Sequence, residues 1–190
     1  MSQMKIASVE LVEKLYTEFI LPYFPKDEVK PLKSILRMVK TGLYKIIYIE
    51  ENDVVTGVAF LTTYPGGEVY LLDYLAVKEE YRSGGFGGKL LQACQEATDG
   101  KPVLIETEKV EIAPDEETRR QREKRNQFYE RNHAVKSGVV SKMFGVTYDN
   151  WCLDEKQRLS ADQVREEMAN IYRFMVDNDA VYEKNIFFLN

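Results

Sequence analysis

The residues best suited to chemistry lie in Arg82-Ser83-Gly84-Gly85-Phe86-Gly87-Gly88, which places four glycines within five positions. Glycine carries no Cβ, so the backbone N–H groups of such a run are unshielded. Before it, Val69 to Val77 is apolar, aromatic and β-branched, and reads as a buried strand. After it, Lys89, Gln92, Ala93, Gln95 and Ala97 are good helix formers, with Leu90, Leu91 and Cys94 on one stripe. A strand, a glycine loop and a helix start form an anion site, because orphan N–H groups and the positive end of the helix dipole point the same way. Pyrophosphate is the natural guest. A Walker A loop is excluded, since Gly84 and Gly88 stand too close and Leu90 occupies the place of the magnesium-binding hydroxyl. A Rossmann fingerprint counted from Gly85 and Gly87 needs glycine or alanine where Leu90 stands, and the other frames also fail.

The pattern that fits is Q/R-x-x-G-x-G/A, filled by Arg82, Gly85 and Gly87 directly after a strand ending Leu75-Ala76-Val77. With the preceding LDYLAVKEEYR and the following GGKLL, this stretch resembles the pyrophosphate loop of the GNAT superfamily of acyl-CoA-dependent N-acetyltransferases. The resemblance covers roughly residues 43–153. It implies an α+β fold: a central mixed, mostly antiparallel sheet with a splayed parallel strand pair, helices on both faces and, here, an extra C-terminal helix. It also implies acetyl-CoA as co-substrate, held by Leu75, Ala76, Val77, Arg82, Ser83, Gly84, Gly85, Phe86, Gly87 and Gly88. Asn126-Gln127-Phe128-Tyr129-Glu130-Arg131 resembles the family's FYEK segment, although Asn132-His133-Ala134 replaces the usual Leu-Gly-Phe. Asn and His tolerate the left-handed backbone of a helix end, so the geometry survives.

Amide formation requires a protonated amine to lose a proton, attack the thioester, pass through an oxyanion and expel a thiolate that takes up a proton. A tyrosine phenol can supply that last proton, and Tyr129 matches the family's general acid. A backbone N–H near Leu75 or Ala76 would hold the oxyanion. Asp73 on the organising strand and Glu106 on the next are the candidate bases, each acting through water; the alternative for each is a solvated or paired strand-end charge. His133 reads as a helix cap, and Ser83 lacks a histidine partner and so is not a nucleophile. Arg119, Arg120, Arg122, Lys124 and Arg125 form a basic cluster. Arg122 would reach the cofactor's 3′-phosphate, the alternative being a solvated face paired with Glu116, Glu117 and Glu123.

The remaining chain must position these groups. Ser8 to Phe19 has helical spacing and a capped start, and Pro22 and Pro25 break it. Phe19 to Phe24 is then a flexible aromatic link, which the resemblance implies as a candidate substrate wall, the alternative being an ordinary loop with its aromatics anchored in the core. A second helix is expected from about Glu28 to Val39. Met4 to Ala7, Leu43 to Glu50, Val54 to Tyr64, Pro102 to Glu108, Val135 to Phe144 and Val146 to Leu153 read as strands, with a turn at Glu51-Asn52-Asp53 and Gly145 as a turn or bulge. A helix opens near Pro114-Asp115, and Ser160 to Gln163 is a capping box for another ending near Met175. Residues 1–155 form the expected acetyltransferase domain, and residues 156–190 an extension packed on the core or on a second subunit of a homodimer.

At 190 residues and 44% hydrophobic, the chain can bury a substantial core. Its net charge of −5 argues against a nucleic-acid binder and suits a cationic amine, whether a small molecule or a protein amine. No apolar run is long enough to span a membrane, and MSQMKIASVE lacks a signal-peptide core, which points to the cytoplasm. With one histidine and two cysteines, no metal site is expected. Transfer of an acetyl group from acetyl-CoA to a primary amine is the function implied. Its rivals are an acyl-CoA-binding regulatory module without turnover and an unrelated nucleotide binder.

Overall fold

The computed structural model describes residues 3–26 and 28–190. Eight strands are found among them: β1 Gln3–Ile6, β2 Tyr44–Glu51, β3 Val54–Thr62, β4 Tyr70–Val77, β5 Val103–Glu108, β6 Val135–Met143, β7 Val146–Cys152 and β8 Ile186–Phe188. Their order is β1-β2-β3-β4-β5-β7-β6-β8. The sheet is mostly antiparallel, with one parallel pair. The chain divides into two compact units, Met1–Pro65 with Leu72–Gly100, and Gly66–Leu71 with Lys101–Asn190.

In the first unit, β2 and β3 form a hairpin whose turn residues Asn52 and Asp53 have φ of 50° and 62°. Positive φ at both central positions matches the right-handed twist of the strands, and Asn and Asp tolerate it better than other side chains. Residues 9–23 are continuously helical, with α1 Val12–Leu15, a π-helical turn over Tyr16–Ile20 and α2 Leu21–Tyr23. Val12, Leu15, Phe19 and Ile20 are fully buried. The expected flexible link beginning at Phe19 is therefore helix as far as Tyr23. Pro22 is tolerated within the final turn, and the break comes at Phe24, which is extended because Pro25 follows it. Ser8 sits at the N-cap position without a side-chain cap; its hydroxyl bonds Glu10 and holds that carboxyl below its ordinary range. Helix α3 runs Leu32–Lys40, starting later than expected because Pro31 occupies the cap. Helix α4, Phe86–Ala97, packs Leu90, Leu91, Ala93 and Cys94 inward.

In the second unit, Tyr70 N–H at the start of β4 donates to Pro102 O at 2.9 Å. Helix α5, Glu116–Arg131, is capped by Asp115, which accepts from the Thr118 N–H at 2.7 Å. It ends at His133 with φ of 70°, the left-handed position expected there. The β6–β7 turn uses Phe144 and Gly145, at φ of 50° and 89°, so Gly145 is a turn residue; the bulge lies instead between Lys136 and Val140, where Gly138 has φ of 87°. Helix α6, Ala161–Val176, opens with the full reciprocal capping box of Ser160 and Gln163. Helix α7, Asp179–Asn185, leads into β8, which pairs antiparallel with β6. Residues 156–190 thus belong to the same compact unit as residues 101–155. Among the described residues, no helix is long and apolar enough to cross a membrane, and no cluster of three or more His, Cys, Asp or Glu could hold a metal.

Candidate active site

In the first unit, β4 leads through a short helical turn, Glu79–Tyr81, into the glycine run. Only part of that run is loop. Gly85 is the N-cap of α4 at φ of 80°, a conformation that favours glycine, while Phe86, Gly87 and Gly88 form the first helical turn. The first backbone bond across this end is Lys89 N–H to Gly85 O at 3.1 Å, and Gly85 has no side chain to cap the end. The N–H groups of Phe86, Gly87 and Gly88 precede that bond and are the helix's orphan donors. Ser83 takes φ of 67°, and a Cβ on Gly84 would come within 3.0 Å of the Phe86 ring. Phe86 is buried and meets the Tyr81 ring edge-on at 5.7 Å, which anchors the turn.

Arg82 braces this loop from outside. Its Nε donates to Val77 O at 3.2 Å, Nη1 pairs with Glu79 at 3.5 Å, and the guanidinium lies 5.3 Å from the Tyr23 ring centre. Ala76 is buried, and its carbonyl explains a glycine that sequence reasoning passed over: a Cβ on Gly57 of β3 would lie 2.9 Å from Ala76 O.

Asp73 is nearly buried, its side chain 5% exposed. Lys30 Nζ lies 2.7 Å from Oδ1, and Tyr44 OH donates to Oδ2. The same lysine is tied down along its backbone: its N–H donates to Tyr74 OH at 2.9 Å, Tyr74 OH donates to Glu28 O at 2.8 Å, and Tyr16 OH donates to Lys30 O at 2.9 Å. Burial, reinforced by the charge of Asp73, pushes the Tyr74 phenol up to about 12 and the Tyr44 phenol well above its usual range. An ammonium and a phenol occupy its oxygens, so the carboxylate anchors the segment ahead of α3; this is the paired arrangement weighed beside the base role.

In the second unit, Glu106 Oε2 accepts from Tyr172 OH at 2.6 Å and Oε1 from Ser141 Oγ at 3.3 Å. Hydroxyl donors orient a carboxylate without cancelling its charge, whereas an ammonium neutralises it. Tyr129 is buried on α5 with the Phe128 ring at 5.1 Å, and its carbonyl accepts from the Asn132 and Ala134 N–H groups at 3.0 and 3.1 Å, closing the helix end. Arg122 is buried, with Nη2 at 2.6 Å from Glu108 Oε1 and Nη1 donating to Lys109 O at 2.8 Å, while Arg125 takes the other Glu108 oxygen at 2.9 Å. These contacts clamp α5 to the end of β5.

These partners escaped sequence reasoning for separate reasons. Tyr172 lies on the apolar stripe of α6, where spacing alone reads a tyrosine as packing, and Lys30 stands 43 positions from Asp73. Only the folded sheet brings such pairs together.

Residues 43–133 match the model of the acetyltransferase (GNAT) domain. Over that span the chain carries a GNAT acetyltransferase domain. Solved structures agree in fold. A GNAT-family protein from Bacteroides thetaiotaomicron is 20% identical, with a TM-score of 0.66 over 87% of this chain and 93% of that one. A spermidine N-acetyltransferase chimera from Vibrio cholerae is 9% identical, with a TM-score of 0.60 over 83% of this chain and 97% of that one. The Bacillus subtilis acetyltransferase in complex with CoA is 17% identical, with a TM-score of 0.58 over 81% and 99%. No curated protein sequence matches the chain.

The acetyltransferase's own thiols stand apart from this chemistry. Burial pushes Cys94 up to about 12 and raises Cys152 as well. Both are expected to resist a disulfide reagent at pH 8 in the native protein and to react in guanidinium. For Cys94 and Tyr74 the folded value lies above the unfolded one, so their contribution to stability is complete below pH 9 and is lost as the pH rises towards 12. A melting temperature that holds level through this alkaline range would contradict it.

Proposed function

We propose that this acetyltransferase moves the acetyl group of acetyl-CoA to a primary amine, in the cytoplasm, with residues 1–155 as the catalytic domain and residues 156–190 as an extension. The observation that carries this reading is the uncapped start of α4, where Gly85 turns the chain and Phe86, Gly87 and Gly88 form the first helical turn on the family's pyrophosphate motif. The N–H groups of those three residues bind the pyrophosphate of acetyl-CoA, helped by the helix dipole. The end of β4, Leu75 to Val77, lines the pantetheine, and a backbone N–H at Leu75 or Ala76 stabilises the oxyanion.

Glu106 serves the acceptor: it takes the ammonium proton through water, and the freed amine nitrogen attacks the thioester carbon. The adduct nitrogen, still carrying two hydrogens and a positive charge, loses one proton to solvent; as the C–S bond breaks, Tyr129 donates its phenol proton to the departing CoA sulfur, and the proton held at Glu106 returns through solvent to the Tyr129 phenolate, so that one proton is released per turnover. The amide and free CoA leave. The acceptor is a small amine or a protein amine; the spermidine enzyme among the similar folds supports a cationic acceptor. An acyl-CoA module without turnover has no observation in its favour.

Gly87→Glu tests the placement by setting a carboxylate against the anion path. Calorimetry is expected to show acetyl-CoA affinity reduced at least about tenfold, or roughly 1.4 kcal/mol, with ATP and NAD weak in the parent. A folded Gly87→Glu protein with unchanged acetyl-CoA affinity would move the cofactor elsewhere.

A further inference from the structure

Glu106 on β5 lies directly opposite Asn150 on β7, so the two side chains share one face of the sheet. Behind the carboxylate runs a chain of donors whose direction is fixed. Asn150 Nδ2 donates to Val139 O at 3.2 Å, and because a carbonyl only accepts, this identifies which end of the amide is nitrogen. The same Nδ2 donates to Ser141 Oγ at 2.9 Å, which leaves the single hydroxyl hydrogen of Ser141 for Glu106 Oε1. Tyr172 OH, donating at 2.6 Å, completes the arrangement at Oε2. Ser141, Asn150 and Tyr172 are all buried, at 0%, 1% and 6% exposure. Both oxygens of Glu106 therefore face donors that favour the ionised, acceptor-only form, and hydrogen bonds to a charged group are the strong ones.

Tyr172 lies on α6, beyond the residues that match the acetyltransferase domain. Packing alone would be served by phenylalanine, as it is by Val164, Met168, Ile171 and Met175 on the same buried stripe. The hydroxyl has another use. Resting on the reading of Glu106 as the acceptor-side carboxylate, we propose that Tyr172, together with Ser141, is a positioning residue that holds Glu106 ionised and oriented towards the acceptor's ammonium group. The C-terminal helix then belongs to acceptor recognition.

The test uses the full chain and whichever of butylamine, 1,4-diaminobutane and glycinamide the parent acetylates fastest, followed by CoA thiol release. Tyr172→Phe keeps the ring and is expected to keep the melting temperature. It should raise the KM for the amine about tenfold, as loss of a hydrogen bond to a charged group implies, with kcat and the acetyl-CoA KM within about twofold. Glu106→Gln should raise the same KM, and the double variant should rise no further, because the tyrosine acts through the carboxylate. Ser141→Ala repeats the test should the tyrosine variant fold poorly. An unchanged amine KM in Tyr172→Phe, or full additivity in the double variant, beside a clear Glu106→Gln effect overturns this inference and leaves acetyl transfer standing. If the parent acetylates none of the three amines, the same comparison is made with a lysine peptide or a free peptide N-terminus, and only failure there too overturns acetyl transfer itself.

Discussion

Phenylalanine in place of Tyr129 is expected to lower turnover by about 10²–10⁴-fold, the usual worth of a positioned general acid, while acetyl-CoA affinity stays nearly unchanged. The reason is the leaving group. A thiolate departs with an affinity for protons set by a pKa of about 8.5, and a phenol of pKa about 10 can deliver the proton as the C–S bond breaks. Removing the hydroxyl leaves the thiolate to wait for solvent. The ring remains, so the buried contact with Phe128 at 5.1 Å and the backbone closure at Asn132 and Ala134 are kept. A loss of activity can therefore be told apart from a loss of fold by thermal unfolding of the same sample. Turnover within about twofold of the parent, with chemistry shown to be rate-limiting, would make Tyr129 a packing residue.

Lys30→Met is the larger perturbation of stability. It leaves the Asp73 carboxylate, 5% exposed, without the ammonium that stands 2.7 Å from Oδ1. Breaking a buried pair from one side typically costs about 3–5 kcal/mol, because the remaining charge is stranded. The Tyr44 hydroxyl at Oδ2 still stabilises that charge and softens the loss. Denaturant unfolding of Lys30→Met should show the cost, and Lys30→Met/Asp73→Asn should recover most of it, since asparagine still accepts from Tyr44 and carries no charge. If the single variant unfolds like the parent, Asp73 is not the anchor described, and a chemical role for it reopens.

Much of the fold was legible because local signals and tertiary demands agree. The β4–glycine–α4 unit was readable since Gly85 needs a left-handed turn and the apolar strand before it has one period and the helix after it another. The capping box at Ser160 and Gln163 and the Asp115 start were equally plain, because a cap is a contact between residues three apart. The boundaries that moved, at Tyr23 and Leu32, moved where proline chemistry and burial compete: Pro22 fits a final helical turn once Phe19 and Ile20 are buried.

The site was less readable. Residue types at Asp73, Glu106 and Arg122 suggested chemistry, but what each does depends on partners supplied from far along the chain. Lys30 and Tyr44 tie up Asp73, Glu108 captures Arg122, and two hydroxyls orient Glu106. No spacing rule encodes such pairings; they follow from strand register and helix docking.

Amine-dependent release of CoA thiol from acetyl-CoA, with the acetylated amine identified by mass spectrometry, tests the central claim most directly. The account predicts that the folded protein releases thiol only when a suitable primary amine is present, in step with N-acetylated product, and that its own buried cysteines do not contribute to the signal. A protein that binds acetyl-CoA and yet releases no thiol across small amines, polyamines, lysine peptides and free peptide N-termini would contradict it.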